Sequence, residues 1–105
     1  MELKFQTLII ATVATGAIAD LHVQGVCIDT PGQGVEVYNR LATEKACEAY
    51  KSRNTGSEQW DQCPDCTILN EKDLLYYCES KDGHIGWDEL NYYCKQNGAG
   101  DSVAW

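Results

Sequence analysis

Six cysteines, Cys27, Cys47, Cys63, Cys66, Cys78 and Cys94, constrain this 105-residue chain more than any other feature. An even number of cysteines in a short exported chain is most simply a framework of three disulfides. The N-terminus supplies the export. A lysine near the start is followed by the apolar run Leu8-Ile9-Ile10-Ala11-Thr12-Val13-Ala14 and then by Ala17-Ile18-Ala19, the small-x-small form read by signal peptidase. Residues 1–19 therefore read as a secretory signal peptide. The apolar core is too short to cross roughly 30 Å of hydrocarbon, which needs about 20 apolar residues. Cleavage after Ala19 leaves residues 20–105 as a single domain, small enough that its hydrophobic core needs cross-links. The expected product is secreted, extracellular and monomeric, with no membrane insertion.

Charge narrows the function classes. The chain carries a net charge of −8, and loss of Glu2 and Lys4 with the signal leaves that balance unchanged. No run of lysines or arginines offers the basic face that a nucleic-acid binder needs. Solubility alone accounts for the acidity.

Along the expected mature chain, Leu21 to Ile28 and Val35-Glu36-Val37-Tyr38 alternate or run apolar around the turn residues Asp29 to Gly34, which predicts a β-hairpin. Thr43 is placed to cap a helix with Ala46, Cys47 and Tyr50 on one face, stopped by Asn54-Thr55-Gly56. Ser57 to Leu69 reads as a stapled loop. Asn70, with Asp73 as a capping-box partner and Leu69 as a staple onto Leu74, predicts a second helix over 70–79 with Leu74, Leu75 and Cys78 inward. A third helix is expected over 87–97, with Trp87, Leu90 and Cys94 along one stripe and Gly98 as its stop. The tail from Ala99 to Trp105 reads as mobile. The fold class is thus α+β, a small disulfide-stapled domain with a short β-hairpin and about three helices. Helix cysteines Cys47, Cys78 and Cys94 would pair with Cys27, Cys63 and Cys66, and the connectivity stays open among fifteen pairings.

Four chemistries compete with simple binding. Cys63-Pro64-Asp65-Cys66 has the spacing of a redox site, but Thr67-Ile68-Leu69 look extended where a helix N-terminus should stabilise the thiolate. Two anchors for separate disulfides suit the pair better, since a bond between them would close only a tiny loop; a Cys63–Cys66 bond would instead speak for the redox reading. Cys63, Cys66, Cys78 and Cys94 have tolerable zinc spacing but would strand Cys27 and Cys47. Asp82-Gly83-His84-Ile85-Gly86-Trp87-Asp88-Glu89-Leu90 resembles the second half of an EF-hand loop, yet its first ligand position is Cys78 and its third Ser80, so calcium binding over 78–90 lacks its strongest donor. His84 with Asp88 or Glu89 could serve a small ribonuclease-like hydrolase, without a recognisable motif. No cofactor, and so no catalytic residue, is assigned.

What remains is a binding surface. The chain has three tryptophans and six tyrosines, and aromatic side chains are enriched at interface hot spots. Adjacent residues on a helix cannot both face the core, so one tyrosine of each Tyr-Tyr pair should be exposed. Tyr76, Tyr92 and Trp87 are the expected partner-binding residues.

The signal peptide, the acidic mature chain and the segments Arg53-Asn54-Thr55-Gly56, Trp60-Asp61-Gln62-Cys63-Pro64-Asp65-Cys66 and Asp88-Glu89-Leu90-Asn91-Tyr92-Tyr93-Cys94 together resemble the small secreted cysteine-rich proteins of filamentous fungi. The resemblance is one of class and brings no site residue with it. It implies an effector or elicitor with a role in virulence, acting on a protein or cell-wall partner of a host by surface binding.

Overall fold

The computed structural model describes residues 21–72 and 74–105. The expected signal peptide and the capping role of Asp73 lie outside the described residues. Strand β1 (Leu21–His22) leads into β2 (Gln24–Gly32) and β3 (Val35–Tyr38), and helix α1 (Arg40–Lys51) follows. A short 3-10 turn (Gln59–Asp61) precedes β4 (Thr67–Glu71) and β5 (Leu75–Glu79). Then come β6 (Ile85–Gly86), α2 (Trp87–Gln96) and β7 (Asp101–Ala104).

The nine-residue β2 organises the main sheet. Its residue Gly25 pairs with Cys78 of β5 and with Ala104 of β7, and Ile28 pairs with Tyr38 of β3 and with Asp101 of β7. A residue has only two ladder sides, so β7 takes one edge of β2 while β5 and β3 follow one another along the other. The Tyr38 hydroxyl closes the gap between those two strands, donating to the Tyr76 carbonyl and accepting from the Tyr76 amide at 3.0 Å. Burial raises the pKa of this phenol, so it stays a neutral donor. The hairpin of β2 and β3 is the one expected, turned by Gly34 at φ +76°. Left-handed backbone of this kind suits a residue without Cβ.

Among the described residues two helices, not three, pack on the sheet. The expected helix over 70–79 is the hairpin of β4 and β5, paired from Thr67↔Glu79 to Glu71↔Leu75. Period two wins there. Ile68, Tyr76 and Cys78 face the helices and Leu69, Leu75 and Tyr77 face away, while Leu74, expected inward, lies in the turn and is 81% exposed. Tyr76 and Tyr77 also favour a strand over a helix. Asn70, read as a cap, instead precedes a turn in which Lys72 takes a positive φ of 52°.

Helix α1 is capped by Asn39, not Thr43; its side chain accepts from the Ala42 amide at 2.9 Å. Thr43 is buried inside the helix, where its hydroxyl donates to the Asn39 carbonyl and accepts the Cys27 amide of β2, both at 2.8 Å. Helix α2 ends in a Schellman motif: Ala99 N–H reaches the Cys94 carbonyl, Gly98 N–H reaches that of Lys95, and Gly98 adopts φ +93°. The tail that reads as mobile is the edge strand β7, in register with Gly25 to Ile28.

The core is mostly sulfur and small aliphatic groups, with Cys27, Ala46, Cys63, Cys78, Ile85 and Cys94 fully shielded and Tyr50 at its centre. Three disulfides run through it. Cys27–Cys94 ties β2 to α2, Cys47–Cys78 ties α1 to β5, and Cys63–Cys66 closes on itself. The last corrects the expectation that these two cysteines anchor separate elements. Its cause is local: Cys63 to Cys66 is a β-turn with Cys66 N–H bonded to the Cys63 carbonyl at 3.0 Å, and the Cα atoms stand 5.3 Å apart. Pro64 sits where a turn favours proline, so the pair is held within disulfide range.

A groove across the first turn of helix α2

The Cys63–Cys66 turn carries a structural carboxylate. Asp65 accepts from the Ser80 hydroxyl at 2.7 Å and from the Asp82 amide at 2.9 Å. Burial alone would raise its pKa, but these hydrogen bonds and the nearby His84 hold it below the usual carboxylate value. Ser80 in turn accepts the His84 amide, and the His84 ring nitrogen Nδ1 lies 2.9 Å from the Gln59 carbonyl. The turn is thus a clasp between the 59–66 segment and the loop after β5. No helix starts at Cys66, because β4 follows directly, so the geometry that lowers a thiol pKa in redox motifs is missing even though the two cysteines are bonded.

Tyr50 completes the clasp from inside. Its hydroxyl lies 2.9 Å from the Trp60 carbonyl and 3.1 Å from that of His84, and it accepts the Gly86 amide at 3.1 Å. Burial pushes its pKa up to about 12, against the lowering effect of the Gly86 bond. One buried phenol therefore fixes Trp60 and Gly86 relative to each other, and these two residues frame a groove.

The groove consists of two open depressions that share Asp88 and Glu89. The first, of about 490 Å³, is lined by Leu21, His22, Trp60, Trp87 and the two carboxylates. The second, of about 430 Å³, is lined by Arg53, Thr55, Tyr92 and Tyr93 with the same carboxylates. Asp88 and Glu89 occupy the first turn of α2, where the helix dipole favours them. Burial raises the Glu89 pKa, opposed by its own amide and by Arg53. Trp87 is 37% exposed and anchored by its indole N–H, which donates to the Ser102 carbonyl at 3.0 Å. Tyr92 is 53% exposed, meets Tyr93 edge-on with centroids 5.0 Å apart, and accepts from Gln96. The Arg53 guanidinium lies 5.8 Å from the Tyr93 ring centroid.

Of the three residues expected to bind a partner, Trp87 lines the first depression and Tyr92 the second. Tyr76 lines neither. Its ring lies under the Arg40 guanidinium, 3.6 Å away at the first turn of α1, whereas Tyr93 packs on Tyr50 near the last turn. Ten helical residues separate Arg40 from Tyr50, about 15 Å.

The other expected chemistries disperse. His84 is turned to Gln59, away from Asp88 and Glu89, and the imidazole that lines the groove beside them is His22. The half EF-hand has a strand before its loop where a helix belongs, and its first position, Cys78, is spent in a disulfide. The four zinc-spaced cysteines are likewise all bonded. Among the described residues Cys47, Cys66 and Cys78 do bring their sulfurs within 4.8 Å of one another, but as disulfides they offer no thiolate. His22, Trp60 and Arg53 had no local signal, whereas Tyr93 is the neighbour of Tyr92 on α2. His22 reaches the groove through the long-range pairing Leu21↔Gly86 and His22↔Ile85, and Trp60 through the Tyr50 hydroxyl.

Among the described residues no helix is long and apolar enough to cross a membrane. No curated protein and no solved structure matches the chain. A protein-family model does, over residues 20–102: that of biotrophy-associated secreted protein 4. The match includes every cysteine, both described helices and all the groove residues named above, and on it the chain belongs to the biotrophy-associated secreted protein 4 family, a fungal family of secreted effectors.

Proposed function

We propose that this secreted protein works as a monomeric effector that binds a host protein or cell-wall partner, and that it does so without catalysis. The observation that supports this most is the α2 groove, where Trp87 and Tyr92 keep their rings exposed while their polar ends are hydrogen-bonded. Rings fixed in this way lose little conformational entropy on binding, which is what interface anchors require. Asp88 and Glu89 between them supply acceptors for a partner's donors.

The test is retention of labelled mature protein on host tissue and on isolated cell-wall fractions, for wild type and for Trp87→Ala with Tyr92→Ala. Retention should fall at least tenfold with the double substitution. Equal retention of the two proteins would remove the groove from the binding surface, and turnover of a wall polymer or RNA abolished by His22→Ala would overturn the non-catalytic reading.

A further inference from the structure

The opposite side of the sheet is a second candidate surface, independent of the groove. Residues paired across an antiparallel ladder point to the same face. From Cys27, Cys78, Ser102 and Ile68, which face the helices, the outward set follows: Gln24, Val26 and Ile28 on β2, Val103 on β7, Leu75, Tyr77 and Glu79 on β5, and Thr67, Leu69 and Glu71 on β4. Trp105 continues β7 opposite Gln24, exchanging backbone hydrogen bonds with it, and its indole N–H donates to the Gln24 side chain. The Tyr77 ring lies 6.5 Å from that indole. Val26 and Ile28 at its centre are buried, while Leu69, Val103 and Trp105 around them are 37%, 38% and 48% exposed.

Charge selects the occupant. Among the described residues the strands contain no lysine or arginine, whereas Glu36, Glu71 and Asp101 stand on the outward face and Glu79, buried there, accepts from Gln24. Every described cation lies on a helix, in a turn or in a loop; Lys72, in the β4–β5 turn, is the one adjoining this face in sequence. Pairing two copies through it would set carboxylates against carboxylates, and an anionic membrane would be repelled in the same way. We propose that the outward sheet face docks a partner protein whose contact surface has an apolar centre and a lysine- or arginine-rich rim. Tyr77, Trp105 and Val103 make the apolar contact, and Glu36, Glu71 and Asp101 meet the cations. A protein of net charge −8 also draws such a partner from a distance.

The probe is a pair of amphipathic helical peptides with the same leucine and phenylalanine face, one flanked by lysine and arginine and the other by glutamate, titrated into isotopically labelled mature protein. The basic peptide should shift the resonances of Tyr77, Val103 and Trp105, leave those of Tyr92 and Trp87 in place, and bind at least tenfold more weakly at 0.5 M than at 0.05 M salt. Glu36→Lys with Glu71→Lys, both exposed positions, should weaken it by a similar factor while leaving the thermal midpoint unchanged. Trp105→Ala gives the apolar arm, with a further tenfold loss. Equal binding of the acidic peptide, shifts confined to the helical face, partition onto anionic phosphatidylserine vesicles, or a concentration-dependent dimer in sedimentation abolished by Trp105→Ala would each overturn the proposal.

Discussion

Replacing Tyr50 by phenylalanine removes one oxygen and leaves the core volume almost unchanged, so its effect isolates the clasp. The hydroxyl is completely shielded from solvent, accepts the Gly86 amide and reaches the carbonyls of Trp60 and His84. Without it the Gly86 N–H is left with no acceptor in a dry site. A buried group stripped of its partner costs about 1–3 kcal/mol. For a domain of this size each kcal/mol lowers the thermal midpoint by about 4–8 °C, so the expected drop lies between about 4 and 24 °C. Calorimetry on the oxidised protein measures it, with Tyr92→Phe as the exposed control, for which a change within about 0.5 kcal/mol is expected. Hydrogen exchange adds a local readout, since the Gly86 amide should lose protection in Tyr50→Phe and not in the control. The pH dependence has a definite sign. A phenol raised from 10.0 to about 12 by folding contributes stability that is fully present below pH 10 and is lost as pH climbs towards 12. That decline should be shallower in Tyr50→Phe. An unchanged midpoint together with a still-protected Gly86 amide would refute the assignment of the clasp to this hydroxyl.

Three other outcomes are expected. Loop-closure entropy assigns about 4 kcal/mol to Cys27–Cys94, whose ends are 67 residues apart, and only about 2 kcal/mol to Cys63–Cys66, which spans three; paired serine substitutions compared by chemical denaturation should keep that order. Asp65→Asn should destabilise at neutral pH, and because the Asp65 pKa is lowered by folding, the gap to wild type should close as pH falls below the carboxylate range, as thermal melts from pH 6 to pH 2 can show. Gly25→Ala would place a Cβ 2.5 Å from Leu90 Cδ2 and 3.2 Å from the Val103 carbonyl, so a loss of about 1–3 kcal/mol is expected by denaturant titration.

The parts of this fold that local pattern determines were legible in the sequence. Val35 to Tyr38 alternates, Gly34 supplies the turn, and Leu90 and Cys94 lie one turn apart before a glycine stop; the structure has a hairpin and a helix there. Residues 70–79 misled because Asn70 and Leu69 satisfy helix-start rules while Tyr76, Tyr77 and Cys78 satisfy strand alternation. The conflict is settled by packing, since only a strand presents Cys78 to Cys47 and Ile68 to the helices at once. Thr43 misled in another way. It meets the composition rule for a cap, but its hydroxyl is needed inside, on the Cys27 amide. Of the groove, Tyr92 could be read from helix geometry, whereas His22 and Trp60 arrive from segments whose only link to α2 is tertiary.

The position of β7 has a consequence for how such a protein is made. A chain exported N-terminus first delivers β2 early, yet one edge of β2 stays unpaired until residues 101–104 have crossed, and Cys27 has no partner until Cys94 has crossed. Cys47 and Cys78 arrive together sooner. During translocation the nascent domain therefore displays an open, β-branched strand edge and a free thiol, the state most exposed to mispairing and aggregation. Oxidation of Cys27 with Cys94 can follow only once residues up to 94 are out, so the bond that ties β2 to α2 forms late.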